Sequence, residues 1–179
     1  MEWKELRRVV TGHNEVGQSV VVFDGPPSNA NERNGAGIAQ IWATDYSPVD
    51  NQTEDDAALR KVRLALPPSG SLFWLCKVAP SSQASAADSQ RNAAKALERF
   101  GAGDAVRPSS GRPDMHATRT LDYAVVLSGE ITLILDQGEV TLKPFDTVVQ
   151  RGTNHTRENR GTEPALIAFV LLDAKPLAS

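Results

Sequence analysis

Beginning at Leu121, apolar positions recur every second residue in short bursts: LDYAVVLSG, EITLILDQG, EVTLKPFDTVVQRG and ALIAFVLLD. Gly, Pro or Asp punctuates each one. This is the rhythm of short strands in an antiparallel sandwich or barrel, since a strand shows successive side chains to opposite faces. Ile131, Leu133 and Leu135 oppose Thr132, Ile134 and Asp136, so one face of that strand is largely core. Asp136-Gln137-Gly138 supplies a hairpin turn, with Gly138 free to take a positive φ. Upstream, RRVVTG and QSVVVFDG read as two strands joined through residues 13–17, and GIAQIWATD and GSLFWLCKVAP as two more. Their β-branched and aromatic content favours strand over helix. The intervening PPSNANERNG is polar and is expected to be loop, while NQTEDDAALRKVRL admits a short helical turn.

One segment breaks the alternation. SQASAADSQRNAAKALERF is built from strong helix formers and stops at Gly101, which predicts a helix near 86–100. Its apolar stripe is narrow, and the Gly/Pro-rich stretch after it leads directly to residue 115. The expected organisation is one domain over 1–179: strands in 1–80, an inserted helix and linker in 82–114, and the strand-rich part in 115–173.

Composition then narrows the classes. The chain has 179 residues, 40% apolar and 23% charged, enough for a single hydrophobic core without staples. Net charge is −3 and no long Lys/Arg cluster occurs, which argues against a nucleic-acid partner. Cys76 is the lone cysteine, so neither an intrachain disulfide nor a cysteine zinc site is expected. No apolar run approaches the roughly 20 residues of a membrane helix, and MEWKELRRVV lacks a signal-peptide core. No membrane partner and a cytoplasmic location are the expectations.

The chemistry centres on MHATRTLDY at 115–123 and on QRGTNH, which ends at His155. In an unbroken strand His116, Thr118, Thr120 and Asp122 share a face. They form either a site or the polar, solvent-facing side of a half-buried sheet.

These stretches resemble the two motifs of the cupin superfamily, small double-stranded β-helix (jelly-roll) barrels. The family's first motif runs H-x-H, three or four residues, E, six residues, G. Here His116-Ala117-Thr118, Asp122 and Gly129 keep that spacing. The second motif centres on P-x-G, a histidine and often an asparagine four residues later, matched in order by Pro144-Phe145-Asp146, His155 and Asn159. Thr118 replaces the second histidine, Asp122 the glutamate and Asp146 the glycine. The combination is similar to stand-alone cupins, some of which serve aromatic breakdown or polyketide biosynthesis. The resemblance implies an all-β, cupin-like jelly-roll barrel with an amino-terminal strand extension and the inserted helix.

It also implies that His116, Asp122 and His155 converge inside the barrel, as metal ligands or as a catalytic group. Two imidazoles and a carboxylate suit one divalent iron, manganese, nickel or zinc ion and a dioxygenase reaction, although Thr118 weakens that set. Without metal, a histidine beside a carboxylate moves protons near neutral pH. That chemistry fits a lyase or isomerase (decarboxylation, dehydration or isomerisation) acting on an aromatic or polyketide-like acid. The expected substrate contacts are Thr118, Tyr123, Arg151 and Trp74, Arg151 through its planar fork. A non-catalytic ligand-binding barrel is the third reading. The small molecule is the expected partner, together with a second copy of the chain, because the amino-terminal strands carry more apolar residues than one edge requires. Other residues read more plainly: His13 as a solvated loop residue, Cys76 as buried and inert, Trp42 as core, and Glu54-Asp55-Asp56 as a solvated charge run.

Overall fold

A computed structural model describes residues 2–52, 55–81, 91, 95–109 and 112–175. Among them are eleven strands: β1 (Arg8–His13), β2 (Ser19–Gly25), β3 (Asn29–Arg33), β4 (Ala36–Thr44), β5 (Ser71–Val78), β6 (Thr120–Ser128), β7 (Ile131–Leu135), β8 (Glu139–Leu142), β9 (Thr147–Arg151), β10 (His155–Glu158) and β11 (Ala165–Asp173). A six-stranded sheet in the order β3-β4-β5-β11-β6-β9 faces a three-stranded sheet β10-β7-β8, and β1-β2 forms a separate hairpin. This is the expected jelly-roll barrel with an amino-terminal strand extension.

Register determines which side chains meet inside. Gln40 pairs with Trp74, Trp74 with Phe169 and Phe169 with Ala124, giving one inward row across four strands. A second row runs Ala43, Leu72, Leu171, Asp122 and Gln150. Ile131 from the smaller sheet packs with Leu72, Trp74, Val126, Ile167 and Phe169, so the two sheets share one core. On the outer face Ala39, Leu75 and Leu166 form a smaller cluster beneath Trp3 and Leu6. Trp42 is only half-buried, because the register shift between Gln40 and Trp42 turns it to that outer side.

The described part of the expected helix, residues 91 and 95–99, is helical; residues 86–90 and 92–94 lie outside the described residues. Gly101 takes φ +72° and the Ala102 N–H returns to the Leu97 carbonyl at 2.8 Å, which closes the helix. Leu97 is buried, and the Phe100 ring meets Trp74 edge-on at 6.2 Å. The helix end therefore caps the barrel core.

Two further expectations are corrected. PPSNANERNG is not all loop: Asn34 and Gly35 take φ of 53° and 73°, the two positive values of a type I′ hairpin turn, and this pairs β3 with β4. Asp56 is not a solvated charge. It accepts from Arg8 Nη1 and Nη2 at 2.7 and 2.5 Å, caps the 3-10 turn Ala57–Leu59 through the Ala58 N–H, and its carboxyl is held below the usual range chiefly by Arg8. Arg8 itself is 3% exposed, so the pair ties β1 to the loop after residue 56. In the Pro144 turn the left-handed residue is Phe145, with φ +74°. Asp146 accepts the Lys143 N–H at 2.8 Å.

Phe145 is 83% exposed, so its ring gains little from packing while its backbone sits where a Cβ is disfavoured. Phe145→Gly is expected to stabilise the fold by about 1 kcal/mol and raise the thermal midpoint by roughly 2–4 °C. Phe145→Ala, measured in the same scan, is expected to give no gain.

Candidate functional site

Residues 114–118 run alongside β10, and the two are locked by reciprocal backbone hydrogen bonds. His116 N–H donates to the His155 carbonyl and His155 N–H to the His116 carbonyl, both at 2.9 Å. Such a pair sets the two residues directly opposite each other, with their side chains on the same face of the ladder. The two imidazoles lie with centroids 4.4 Å apart, tilted by 49°. The segment is also held from the other side, where Ala117 N–H donates to Ala105 O and Arg107 N–H to Met115 O at 2.8 Å. The region following the helix thus borders His116.

Local carbonyls choose the tautomers. His116 Nδ1 lies 3.0 Å from the Asp114 carbonyl and His155 Nδ1 lies 2.8 Å from that of Thr153. A carbonyl only accepts, so both Nδ1 atoms carry hydrogen and both Nε2 atoms keep a lone pair. Arg157 Nη1 donates to His155 Nε2 at 2.9 Å. The guanidinium lies 4.8 Å over the Phe169 ring, and its Nη2 is buried without a partner. Outside this pair, the buried Asp114 carboxylate accepts from Thr156 Oγ1 at 2.7 Å and Arg112 Nη2 at 3.3 Å. Thr156 faces Asp114 while His155 and Arg157 face the interior, as the two-residue period of β10 requires.

Electrostatics keep the imidazoles neutral. His155, 1% exposed, is held well below its ordinary pKa by burial, then by Arg157 and by His116. Burial also lowers His116, with Arg157 acting in the same direction and the Asp114 carbonyl opposing. Asp122 moves up: burial outweighs the Thr120 hydroxyl and the charge of Arg157. Its Oδ1 has no partner. Burial pushes the Cys76 thiol up to about 11 despite Arg157, consistent with an inert residue.

Of the expected contacts, Trp74 faces the interior with Nε1 unpartnered, and half-buried Thr118 shares a 2.7 Å hydroxyl contact with Thr120. Tyr123 and Arg151 are corrected. Tyr123 follows inward Asp122 and Arg151 follows inward Gln150, so the pleat turns both to the outer face, where both are exposed. Arg157 was missed, although the i, i+2 rule applied to His116 nominates it equally well from His155.

His116, Asp122 and His155 do not gather around one point, and among the described residues no three His, Cys, Asp or Glu side chains form a group able to hold an ion. The donor set as arranged does not fit a divalent metal. The His155 lone pair is occupied by Arg157, and a guanidinium repels a second cation at that position.

Residues 99–171 match the family model described as Cupin domain. Phomopsin biosynthesis cluster protein C′ of Diaporthe leptostromiformis is 53% identical over 74 residues, covering 40% of this chain and 39% of that protein. The matched stretch is therefore well under half of that relative. Cupin-domain-containing oxidoreductase srdD of Neurospora crassa is 26% identical over 182 residues, covering 96% of this chain and 77% of that protein. Among solved structures, the Schizosaccharomyces pombe Cnp3 cupin domain has a TM-score of 0.46 at 12% identity, covering 93% of this chain and 87% of that one. No helix among the described residues is long and apolar enough to cross a membrane.

Two histidines, one buried and one half-buried, that stay neutral in the fold but protonate in the unfolded chain make stability pH-dependent. Their folded pKa values lie below the unfolded value, so the unfolded state binds more protons as pH falls below about 6.5. The unfolding free energy from urea titration is expected to drop from about pH 6.5 toward pH 5, by up to about 1.4 kcal/mol per pH unit for each proton. In His116→Gln/His155→Gln that slope is expected to flatten.

Proposed function

We propose that this chain, which carries a cupin domain over residues 99–171, is a small-molecule enzyme that performs proton-transfer chemistry on an organic acid in the barrel. The reaction class is lyase or isomerase. The observation supporting this reading most directly is the Arg157 guanidinium on the lone pair of a buried, neutral histidine. A cation with one unpartnered nitrogen beside a neutral base suits a substrate whose carbonyl oxygen gains negative charge as an adjacent C–H bond is broken.

In this mechanism the substrate carbonyl oxygen takes the Arg157 N–H groups and frees His155 Nε2. That nitrogen removes the proton from the carbon next to the carbonyl. Arg157 holds the enolate oxygen, and His116 Nε2 receives or returns the proton from the half-buried side of the pair. Asp122, whose carboxyl burial favours in the protonated form, donates to the far side of the substrate. Asp114 is a positioning residue: it orients His116 through its carbonyl and β10 through Thr156.

The second reading is a metal-dependent oxidoreductase. It is supported by the names of relatives, among them Cupin-domain-containing oxidoreductase virC of Hypocrea virens, 43% identical over 67 residues, 34% of that protein.

The test uses aromatic hydroxy acids and β-keto acids in deuterated buffer, followed by proton NMR. The expected result is deuterium incorporation or conversion that survives EDTA and removal of oxygen, and falls at least about 100-fold in His155→Gln. Absence of exchange with every acid would contradict the proposal. Conversion that stops with EDTA and returns with iron or manganese would establish the oxidoreductase reading instead.

A further inference from the structure

A cleft of about 410 Å³ opens where the ends of β4 and β5 meet the loop after residue 56, and the proton-transfer chemistry does not use it. Its size is that of a small-molecule site. Arg60, Lys61 and Arg63 line it in a chain of net charge −3, and the lining includes one carboxylate, Asp45, already paired with Arg60 at 2.7 Å. The floor is apolar, with Leu66 and Leu72.

Gln40 is the feature that marks a ligand. Its side chain is fully buried, and its amide nitrogen donates to the Ala58 and Arg60 carbonyls at 2.9 and 2.8 Å. Two carbonyl partners fix which amide atom is nitrogen, so the other is the oxygen, buried and without a donor in a residue that lines the cleft. From this wall the inward rows lead to the histidines. Gln40 neighbours Trp74, Trp74 neighbours Phe169, and Arg157 lies over Phe169. Trp74 Nε1 and Arg157 Nη2 are further unpartnered polar atoms along that row. Gln40 and Phe169 are two strands apart, about 10 Å.

We propose that this cleft is the recognition subsite for the anionic end of an elongated organic acid. The carboxylate lies against Lys61 and Arg63, the apolar body covers Leu66 and Leu72, and a hydroxyl donates to Gln40 Oε1. The inference rests on the proposed function only in calling the ligand a substrate. It specifies that substrate as an elongated acid whose carboxylate and reacting carbonyl lie on either side of the roughly 10 Å between Gln40 and Phe169, as in a polyketide-like chain.

The probe is 4-hydroxybenzoate, titrated into the full chain and followed by amide NMR shifts. With about 10 non-hydrogen atoms it is expected to bind in the millimolar range. Shifts are expected around Gln40, Lys61 and Ser71, and affinity is expected to fall about tenfold or more in Lys61→Glu/Arg63→Glu, whose altered side chains are exposed. The uncharged 4-hydroxybenzamide, tested on the unaltered chain, is expected to bind at least about tenfold more weakly, which needs no variant to fold. Arg157→Met is expected to leave this probe's affinity within about twofold. Unchanged affinity in Lys61→Glu/Arg63→Glu, equal binding of the amide, or no saturable binding by about 10 mM would overturn the subsite. Affinity lost in Arg157→Met but kept in the double variant would overturn the cleft while leaving the proton-transfer proposal standing.

Discussion

The reciprocal backbone bridge between His116 and His155 is the constraint on which the site depends. It joins a non-strand segment to β10, sets the two imidazoles 4.4 Å apart, and leaves both Nδ1 atoms facing nearby carbonyls. From those contacts the tautomers follow, and from the tautomers the direction of each free lone pair. Arg157 then follows from the period of β10, since a residue two positions after an inward histidine is also inward. Asp114, Thr156 and Arg112 brace the same bridge from outside.

Much of this was legible in the sequence, and the failures have physical causes. Alternation identified the strands from Leu121 onward, and spacing nominated His116, Asp122 and His155. The Asn34-Gly35 hairpin was hidden by the polar composition around it, although Asn-Gly is itself the local signal for such a turn. Asp56 looked solvated because its partner, Arg8, is 48 positions away, a separation that local patterning does not reach. Tyr123 and Arg151 were placed in the site by chemistry alone; alternation from Asp122 and Gln150 puts them outside. Arg157 was overlooked because a lysine or arginine next to a histidine looks unremarkable until burial is known.

Charge is distributed against the net value of the chain. A chain of −3 keeps one cation inside its barrel, beside neutral histidines, and three more along a cleft whose wall includes a buried acceptor. Burying a guanidinium is costly unless it is partnered, and stacking on Phe169 together with the bond to His155 offsets part of that cost. Gln40, Trp74, Asp122 and Arg157 each retain a buried polar atom without a partner. Buried groups of this kind are normally satisfied, so three of them on the two inward rows, with Arg157 over Phe169 from the smaller sheet, form a surface suited to a polar ligand. Arg157 also distinguishes this barrel from one that places three ligands around an ion, because it donates to the His155 lone pair that a metal would have to take.

The central claim, that Arg157 rather than a metal holds the His155 lone pair, is tested most directly by long-range proton–nitrogen NMR of the histidine rings. The sample is the chain purified without a histidine tag, recorded before and after EDTA. The account predicts a protonated Nδ1 and a hydrogen-bonded, unprotonated Nε2 at His155, with shifts identical in both spectra. A protonated Nε2, or a His155 signal that moves when the chelator is added, would contradict it.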